Sequence, residues 1–425
     1  MPSHRLFALG VIMLVALSIC CHNFSNRGGP SSIIPLAVAG VAYLFAIREL
    51  FSSSALPRHV VVIGLILAAL WQLQFLVTRP GSDDDIHRYL WDGRLQRLGY
   101  NPYIVVPADP AFRQLHTAET ITLNHPDLPS LYPPGAELFF RAVTAIHESV
   151  FTLKVAFVVC AWLIVFVLWD VLRSSGQAEH WALAYAWNPL LATEVAGSGH
   201  IDIVGALLLV LSLAALLRRW RTVAALTFAL AVAVKFLPIV LLPLYWKRVR
   251  LRDGILAVAV FAALYVPFVH NKGIPIGSLG TYVEQFRFND LVFTTLERVA
   301  PAQFVAGLAV LTGLACAIYF RRKSEALCAD AFAWPMAVSL LCAPVIYPWY
   351  LLWLLPFTRS IATVPIMIWT VSIIPTYMVW HLRDIGRPWI VPGWVTLLEY
   401  GPIAIAGLIL GLRRIKRRAA RGAAG

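Results

Sequence analysis

Residues 59–77 read HVVVIGLILAALWQLQFLV, without a single Asp, Glu, Lys or Arg, and the next eight are Thr78-Arg79-Pro80-Gly81-Ser82-Asp83-Asp84-Asp85. The first part suits a bilayer core, which a helix crosses with roughly 20 apolar residues. The second part suits water. The junction between them marks a membrane edge. Similar apolar runs occupy 6–21, 32–47, 150–172, 180–196, 202–217, 254–269, 301–320, 362–380 and 394–412. Of the 425 residues, 59% are hydrophobic and only 13% charged, against roughly 25% charged in a soluble chain. The expected fold is an all-α polytopic membrane protein: one integral membrane domain over 1–425, with about 10–13 transmembrane or re-entrant helices.

The net charge of +13 invites a nucleic-acid partner, but its distribution argues against one. The basic clusters are short and lie beside apolar runs: Arg218, Arg219 and Arg221; Lys247, Arg248, Arg250 and Arg252; Arg321, Arg322 and Lys323; and a tail over 413–425. These are positive-inside markers, with membrane lipids as their partners. Placing both termini in the cytoplasm puts most Lys and Arg inside and most Asp and Glu outside. Run 6–21 reads as an uncleaved first span, because no small-x-small cleavage site follows it. The bulky Ile19 before Cys20 argues against a lipoprotein box. None of the six Cys falls in the long loop 78–149, so neither a disulfide framework nor a Cys-based zinc site supports that loop.

Two further apolar stretches, 222–246 and 331–357, have basic clusters at both ends. A single crossing would put one cluster outside. A re-entrant hairpin keeps both inside, and each stretch has helix breakers near its middle: Pro238 in the first, Pro344 and Pro348 in the second. Hairpin tips at membrane depth require a polar cavity or burial in protein; the alternative for either stretch is one kinked span, with the charge rule locally broken.

Loop 78–149 is too long to be a plain connection. After the Asp triplet a helical pattern runs to Leu98, stopped by Gly99-Tyr100-Asn101-Pro102-Tyr103. A second turn cluster, Leu131-Tyr132-Pro133-Pro134-Gly135, precedes an amphipathic segment over 136–150 expected to lie in the interface. On the first helix Asp85, Tyr89, Asp92 and Gln96 share a face, and Arg88 is spaced to pair with Asp84 or Asp92. A carboxylate at a membrane edge suits a general base for a hydroxyl nucleophile. Asp85 is the candidate, with Asp84 in reserve. Asp is also a preferred N-cap, which is the expected role of Asp83.

Three other constellations could take part in chemistry. Gly197-Ser198-Gly199-His200-Ile201-Asp202 is a polar break on the same outer side as the loop. There His200 and Asp202 could orient a hydroxyl or the base, or simply form a capped turn. Lys235 stands inside an apolar stretch, where an ionisable residue is costly and marks a function unless it snorkels to the surface. Pro344-Val345-Ile346-Tyr347-Pro348-Trp349-Tyr350 supplies aromatics that fit either an interfacial belt or a sugar-binding wall. No P-loop, HExxH, GxSxG or dinucleotide fingerprint is present.

Asp85-Ile86-His87-Arg88-Tyr89 through Gly99-Tyr100-Asn101-Pro102-Tyr103, with Tyr132-Pro133-Pro134, Gly199-His200-Ile201-Asp202 and Lys235-Phe236-Leu237-Pro238, resembles the bacterial polyprenyl-phosphate-mannose-dependent mannosyltransferases of the GT-C superfamily. The resemblance runs over roughly residues 60 to 360. It implies a GT-C fold in the bacterial inner membrane and a polyprenyl-phosphate sugar donor. It further implies a glycan or glycolipid acceptor and an acidic base in the first long outer loop, at the position of Asp85. His87 stands where an aromatic is usual. Tyr347, Trp349 and Tyr350 stand where such enzymes often have His, which leaves the sugar and the acceptor open.

The expected reaction is therefore an inverting transfer on the outer face. Asp85 is the base, and Arg88, Tyr89, Asp92, Tyr132, His200, Asp202, Lys235, Tyr347 and Trp349 are the candidate substrate contacts. A lipid phosphate leaves as a stable anion, so no cofactor is needed; adjacent carboxylates could alternatively hold a divalent cation. The competing class is a transporter or lipid flippase, which shares the many spans and the buried cation. It fits less well, because no twofold internal repeat is visible and transporters seldom carry so long an acidic outer loop.

Overall fold

The computed structural model describes residues 2–81, 84–269, 275–323 and 327–422. Ser82 and Asp83 lie outside the described residues, as do the last three residues of the basic tail. The helices in chain order are α1 (Pro2–His22), α2 (Pro30–Ser52), α3 (Arg58–Leu76), α4 (Asp85–Arg97), α5 (Pro134–Ile146), α6 (Val150–Ser174), α7 (Ala182–Ala186), α8 (Asp202–Leu217) and α9 (Arg221–Val234). They continue as α10 (Leu242–Tyr245), α11 (Leu251–Tyr265), α12 (Leu279–Gln285), α13 (Leu291–Glu297), α14 (Ala302–Lys323), α15 (Asp330–Leu341), α16 (Val364–Ser372), α17 (Met378–Asp384) and α18 (Gly393–Gly422). Among the described residues the only β pairing is an isolated parallel bridge, Phe288 to Val345.

Eight helical segments among the described residues are long and apolar enough to cross a membrane: Ser3–His22, Pro30–Ser52, Arg58–Leu76, Val150–Ser174, Leu251–Phe268, Ala302–Lys323, Ile361–Asp384 and Gly393–Arg413. The protein is thus an all-α, multi-pass integral membrane protein. Large aliphatic and aromatic side chains stay exposed along these helices, such as Phe7, Val15, Ile34, Phe45, Ile66, Phe166, Val258, Leu311 and Leu408. Such a surface is stable only against lipid or another apolar partner.

One of the ten expected spans differs from expectation, and another, 202–217, is the 16-residue α8. Run 180–196 is not one helix. It forms the five-residue α7, turns at Trp187-Asn188-Pro189, and continues as a π-helix, Leu191–Gly197. The π-helix and α8 meet at a bend of 114°. Pro189 lacks a backbone donor, and Gly199 takes a left-handed φ of +78°. A β-carbon on Gly199 would also sit 2.5 Å from Ile86 Cδ1. The corner therefore needs Gly both for its conformation and for its contact with α4.

Neither of the stretches 222–246 and 331–357 is one continuous helix. The 14-residue α9 rises about 21 Å, less than the ~30 Å of a bilayer core. It stops at Lys235, whose backbone is extended, and short 3₁₀ and α turns follow. The 12-residue α15 is followed by Pro344 and by the 3₁₀ turns Pro348–Trp353 and Leu355–Phe357.

The loop between α3 and α6 folds as a cap with a small core of its own, Trp91, Leu95, Val105 and Leu123. In α4, every residue from 86 to 93 is buried. Tyr89 stacks on Phe140 of α5 with centroids 4.4 Å apart. The segment joining α12 to α13 is tied to the late Pro-rich segment: Phe288 N–H donates to Pro344 O at 3.2 Å, and Ile346 N–H to Phe288 O at 2.9 Å. These ties bring loop 78–149, the corner 198–202, Lys235 and the aromatic segment 347–353 around one cavity.

Candidate active site

The cavity has a volume of about 1050 Å³. Its lining includes Asp84, Asp85, Tyr132, Lys235, Tyr347 and Trp349. Six of the residues singled out from sequence thus face one space. His200 and Asp202 are buried beside it, each touching a lining residue. Arg88, Tyr89 and Asp92 are not among the lining residues; they are buried in α4.

Asp85 begins α4, and its side chain is 22% exposed. Asn124 Nδ2 donates to Asp85 Oδ1 at 2.7 Å. Asp85 Oδ2 lies 3.8 Å from His200 Nδ1. The far side of the imidazole meets a second carboxylate, with His200 Nε2 3.2 Å from Glu194 Oε2. The hydroxyl of Tyr377 donates to the other Glu194 oxygen. Glu194 is completely buried. The order Asp85, His200, Glu194, Tyr377 is a continuous polar line running from the cavity into the helix bundle.

Asp84 also lines the cavity, but its carboxylate has different partners. Its Oδ1 pairs with Arg27 Nη2 at 2.7 Å, and its Oδ2 accepts from Gly81 N–H at 2.7 Å. Arg27 also donates to Ser198 Oγ and lies 5.2 Å over the Trp380 ring. Burial pushes the Asp84 carboxyl above its ordinary range, and Arg27 opposes that shift. The two neighbouring carboxylates diverge, so they do not form a pair of ligands for one ion. Among the described residues, which do not include Asp83, no three His, Cys, Asp or Glu side chains converge as a metal-holding group.

Lys235 closes another side. Its Nζ bonds Asp202 Oδ1 at 2.7 Å, and the same oxygen accepts from Trp353 Nε1 at 2.7 Å. The ammonium sits 3.6 Å from the centroid of the Tyr350 ring, within cation–π range. The Tyr350 hydroxyl in turn shares a 2.6 Å hydrogen bond with Tyr282. Gly205 of α8 makes this arrangement possible, because a β-carbon there would lie 1.9 Å from the Trp353 ring. The Lys235 side chain remains 24% exposed, so the cation is held without being sealed off.

Beneath Asp85, Arg88 Nε bonds both oxygens of Asp92 at 3.0 and 3.1 Å, and Arg88 Nη1 bonds Leu128 O at 2.9 Å. Glu137 of α5 accepts from Ser130 Oγ at 2.5 Å and from Gln96 Nε2 at 2.8 Å. Burial, and then the Asp92 charge, push the Glu137 carboxyl well above its ordinary range. Burial raises Asp92 too, with Arg88 opposing the shift. This network locks α4 to α5 and so fixes where the N-terminus of α4 presents Asp85.

Sequence reasoning missed Glu194, Arg27, Asn124 and Trp353. Glu194 had a readable signal, since a lone acid in an apolar run is costly and marks a function. Arg27, in a short turn between two spans, had none.

A multi-pass membrane protein with acid, cation and aromatics around one large cavity has the parts of a membrane-embedded enzyme site. The family comparison makes the class specific. Residues 19–249, more than half of the chain, match the N-terminal domain of the alpha-(1→6)-mannopyranosyltransferases, and the chain belongs to that family. It is a glycosyltransferase by that membership. The matched region holds Asp85, Tyr132, Glu194, His200, Asp202 and Lys235; the aromatic wall 347–353 lies beyond it. No curated protein matches the chain.

Proposed function

We propose that the protein transfers a mannose-like sugar from a polyprenyl-phosphate donor to a hydroxyl of a glycan or glycolipid acceptor. The reaction takes place at the outer face of the bacterial inner membrane, with both termini in the cytoplasm and with inversion at the sugar carbon. The observation that carries this reading is the shared cavity: the partly exposed Asp85 carboxylate and the partly exposed Lys235 ammonium face the same space.

The chemistry follows from those two groups. Asp85 takes the proton of the acceptor hydroxyl as its oxygen attacks C1 of the donor sugar. The bond from C1 to the lipid phosphate breaks on the opposite face, which inverts the centre. The departing lipid phosphate is already an anion and needs no general acid. Its growing charge is met by Lys235, held in place by Asp202, Trp353 and Tyr350. The Asp84–Arg27 pair anchors the start of α4, and the Arg88–Asp92–Glu137 network supports it from below. The stretches 222–246 and 331–357 enter from the cytoplasmic side and return, their tips bearing Lys235 and the aromatic segment. The lipid tail of the donor runs between spans.

The test is a transfer assay on the purified, reconstituted protein with a panel of polyprenyl-phosphate sugars, read by mass spectrometry of the lipid extract. Asp85→Asn is expected to abolish transfer while leaving the melting temperature near wild type. Near-wild-type transfer by Asp85→Asn would sink the assignment of the base.

A further inference from the structure

Glu194 lies outside the cavity lining, is wholly buried, and meets the lining residue Asp85 through His200. We propose that Glu194 and His200 form a positioning couple for Asp85, in which Glu194 acts on the proton acceptor of the reaction without touching substrate. This inference rests on Asp85 being the base.

The imidazole stands between two carboxylates, with Nε2 3.2 Å from Glu194 and Nδ1 3.8 Å from Asp85. Protonated His donates from both ring nitrogens, so one ring addresses both acids. Glu194 is the counter-charge on the buried side. Its other oxygen is taken by the Tyr377 hydroxyl, which leaves one oxygen aimed at the ring. The ring plane is fixed by Trp349, stacked on it with centroids 4.0 Å apart and planes 7° from parallel. Asn124 holds the remaining Asp85 oxygen at 2.7 Å. Asp85 is therefore hydrogen-bonded at one oxygen and faces the imidazole at ion-pair distance with the other, with Glu194 on the far side of the ring.

The other charged and titratable groups around the couple have contacts of their own. Arg27 and Asp84 pair with each other, Tyr377 bonds Glu194, and Cys20 has a 3.5 Å contact to Ser32. The only carboxylate facing Nδ1 at ion-pair distance among the described residues is that of Asp85. The π-helix Leu191–Gly197 and the Gly199 corner are what allow Glu194 and His200, six residues apart in sequence, to face each other. π-Bulges of this kind cluster at functional positions.

The experiment compares kcat and KM across pH for wild type, Glu194→Gln, Glu194→Asp and His200→Gln, with Asp85→Asn in parallel. Glu194→Gln keeps the shape and removes the counter-charge. It is expected to lower kcat by up to about 100-fold, the scale of a misplaced catalytic group. KM should change little, and the alkaline limb of the kcat profile should move to lower pH. Glu194→Asp restores the charge and should recover part of kcat and the wild-type limb. His200→Gln removes the limb, and it reads the same property should Glu194→Gln fail to accumulate. An unmoved limb in Glu194→Gln, or a persistent limb in His200→Gln, overturns the proposal even where activity falls, since a scaffold defect does not shift a pH profile. Activity in Asp85→Asn would refute the base itself. An inactive Asp85→Asn beside a wild-type Glu194→Gln would refute only the couple.

Discussion

Trp349 is sandwiched between His200 and Tyr347. Its ring lies 4.0 Å from His200 and 4.3 Å from Tyr347, with interplanar angles of 7° and 11°. Both faces of the indole are therefore covered by protein, and it lines the cavity by its edge. The sequence left the aromatic segment as either a membrane belt or a platform for sugar faces. The expected task of Trp349 beside the cavity is to hold the imidazole flat next to Asp85. Trp349→Phe keeps a ring in the stack and is expected to retain most activity. Trp349→Leu removes it and is expected to lower kcat by about 10- to 100-fold, the cost of a misplaced positioning group, with KM for donor changing much less. A large KM effect with kcat intact would instead make Trp349 a direct sugar contact.

Lys235 bears on donor chemistry rather than on the base. Its ammonium is shared between Asp202 and the Tyr350 ring. Lys235→Gln removes the cation and leaves Asp202 with only Trp353 as a charge-stabilising donor. The expected result is a kcat loss of about 100-fold or more, the scale of removing one group that stabilises developing charge. Lys235→Arg keeps the charge but enlarges the head, and it should recover only part of the loss. The measurement is single-turnover transfer with saturating donor. Equal rates for Lys235→Gln and wild type would remove Lys235 from the chemistry.

How much of this was legible beforehand depends on the physical signal. Eight of the apolar runs form helical segments long enough to span a membrane because lipid demands near-continuous hydrophobicity, which composition reports directly. Run 180–196 has the same composition but is broken, because Asn188-Pro189 and the Gly197–Gly199 corner act through backbone geometry. Asp85, His200, Asp202 and Lys235 stood out as polar residues at breaks in apolar runs. Arg27 did not, because its partner Asp84 is 57 residues away and only the tertiary fold brings them together. The long loop was expected to be water-exposed, yet α4 is buried; its core comes from Phe140, Tyr132 and Leu123, distant in sequence.

The Arg27–Asp84 pair predicts a stability effect. Both side chains are buried, with Arg27 bonded to Ser198 as well. Removing one partner leaves an uncompensated charge in a low-dielectric site, which costs about 3–5 kcal/mol. Arg27→Met and Asp84→Leu are each expected to lower the melting temperature by several degrees. The double variant should be closer to wild type than the sum of the two, because neither charge is then left alone. Additive losses would show that the pair is not coupled.

Gly205 provides a packing test at the same site. A β-carbon there would overlap the Trp353 ring at 1.9 Å. Gly205→Ala must push the indole away from α8, at a cost of about 1–3 kcal/mol for overpacking, and take its N–H from Asp202. The variant should fold, show altered Trp fluorescence, and lose activity in the manner of a weakened Lys235 site. Unchanged fluorescence and activity would mean that Trp353 does not hold Asp202.

The Glu137–Asp92 pair gives stability a dependence on pH. Burial and the Asp92 charge raise the folded-state value of Glu137 well above its ordinary 4.5. Between those two values the folded protein binds more protons than the unfolded chain. Stability contributed by this group is therefore full below about 4.5 and declines as pH rises towards the raised folded value. A paired, depressed carboxylate would give the opposite slope. Glu137→Gln holds a neutral amide at every pH and should flatten the decline, while keeping an oxygen for the Ser130 hydroxyl, which donates at 2.5 Å in the native protein. The measurement is the melting temperature of the detergent-solubilised protein from pH 4.5 to 8.5, wild type beside Glu137→Gln. Parallel curves would show that Glu137 is ionised in the fold, with its charge met by Arg88.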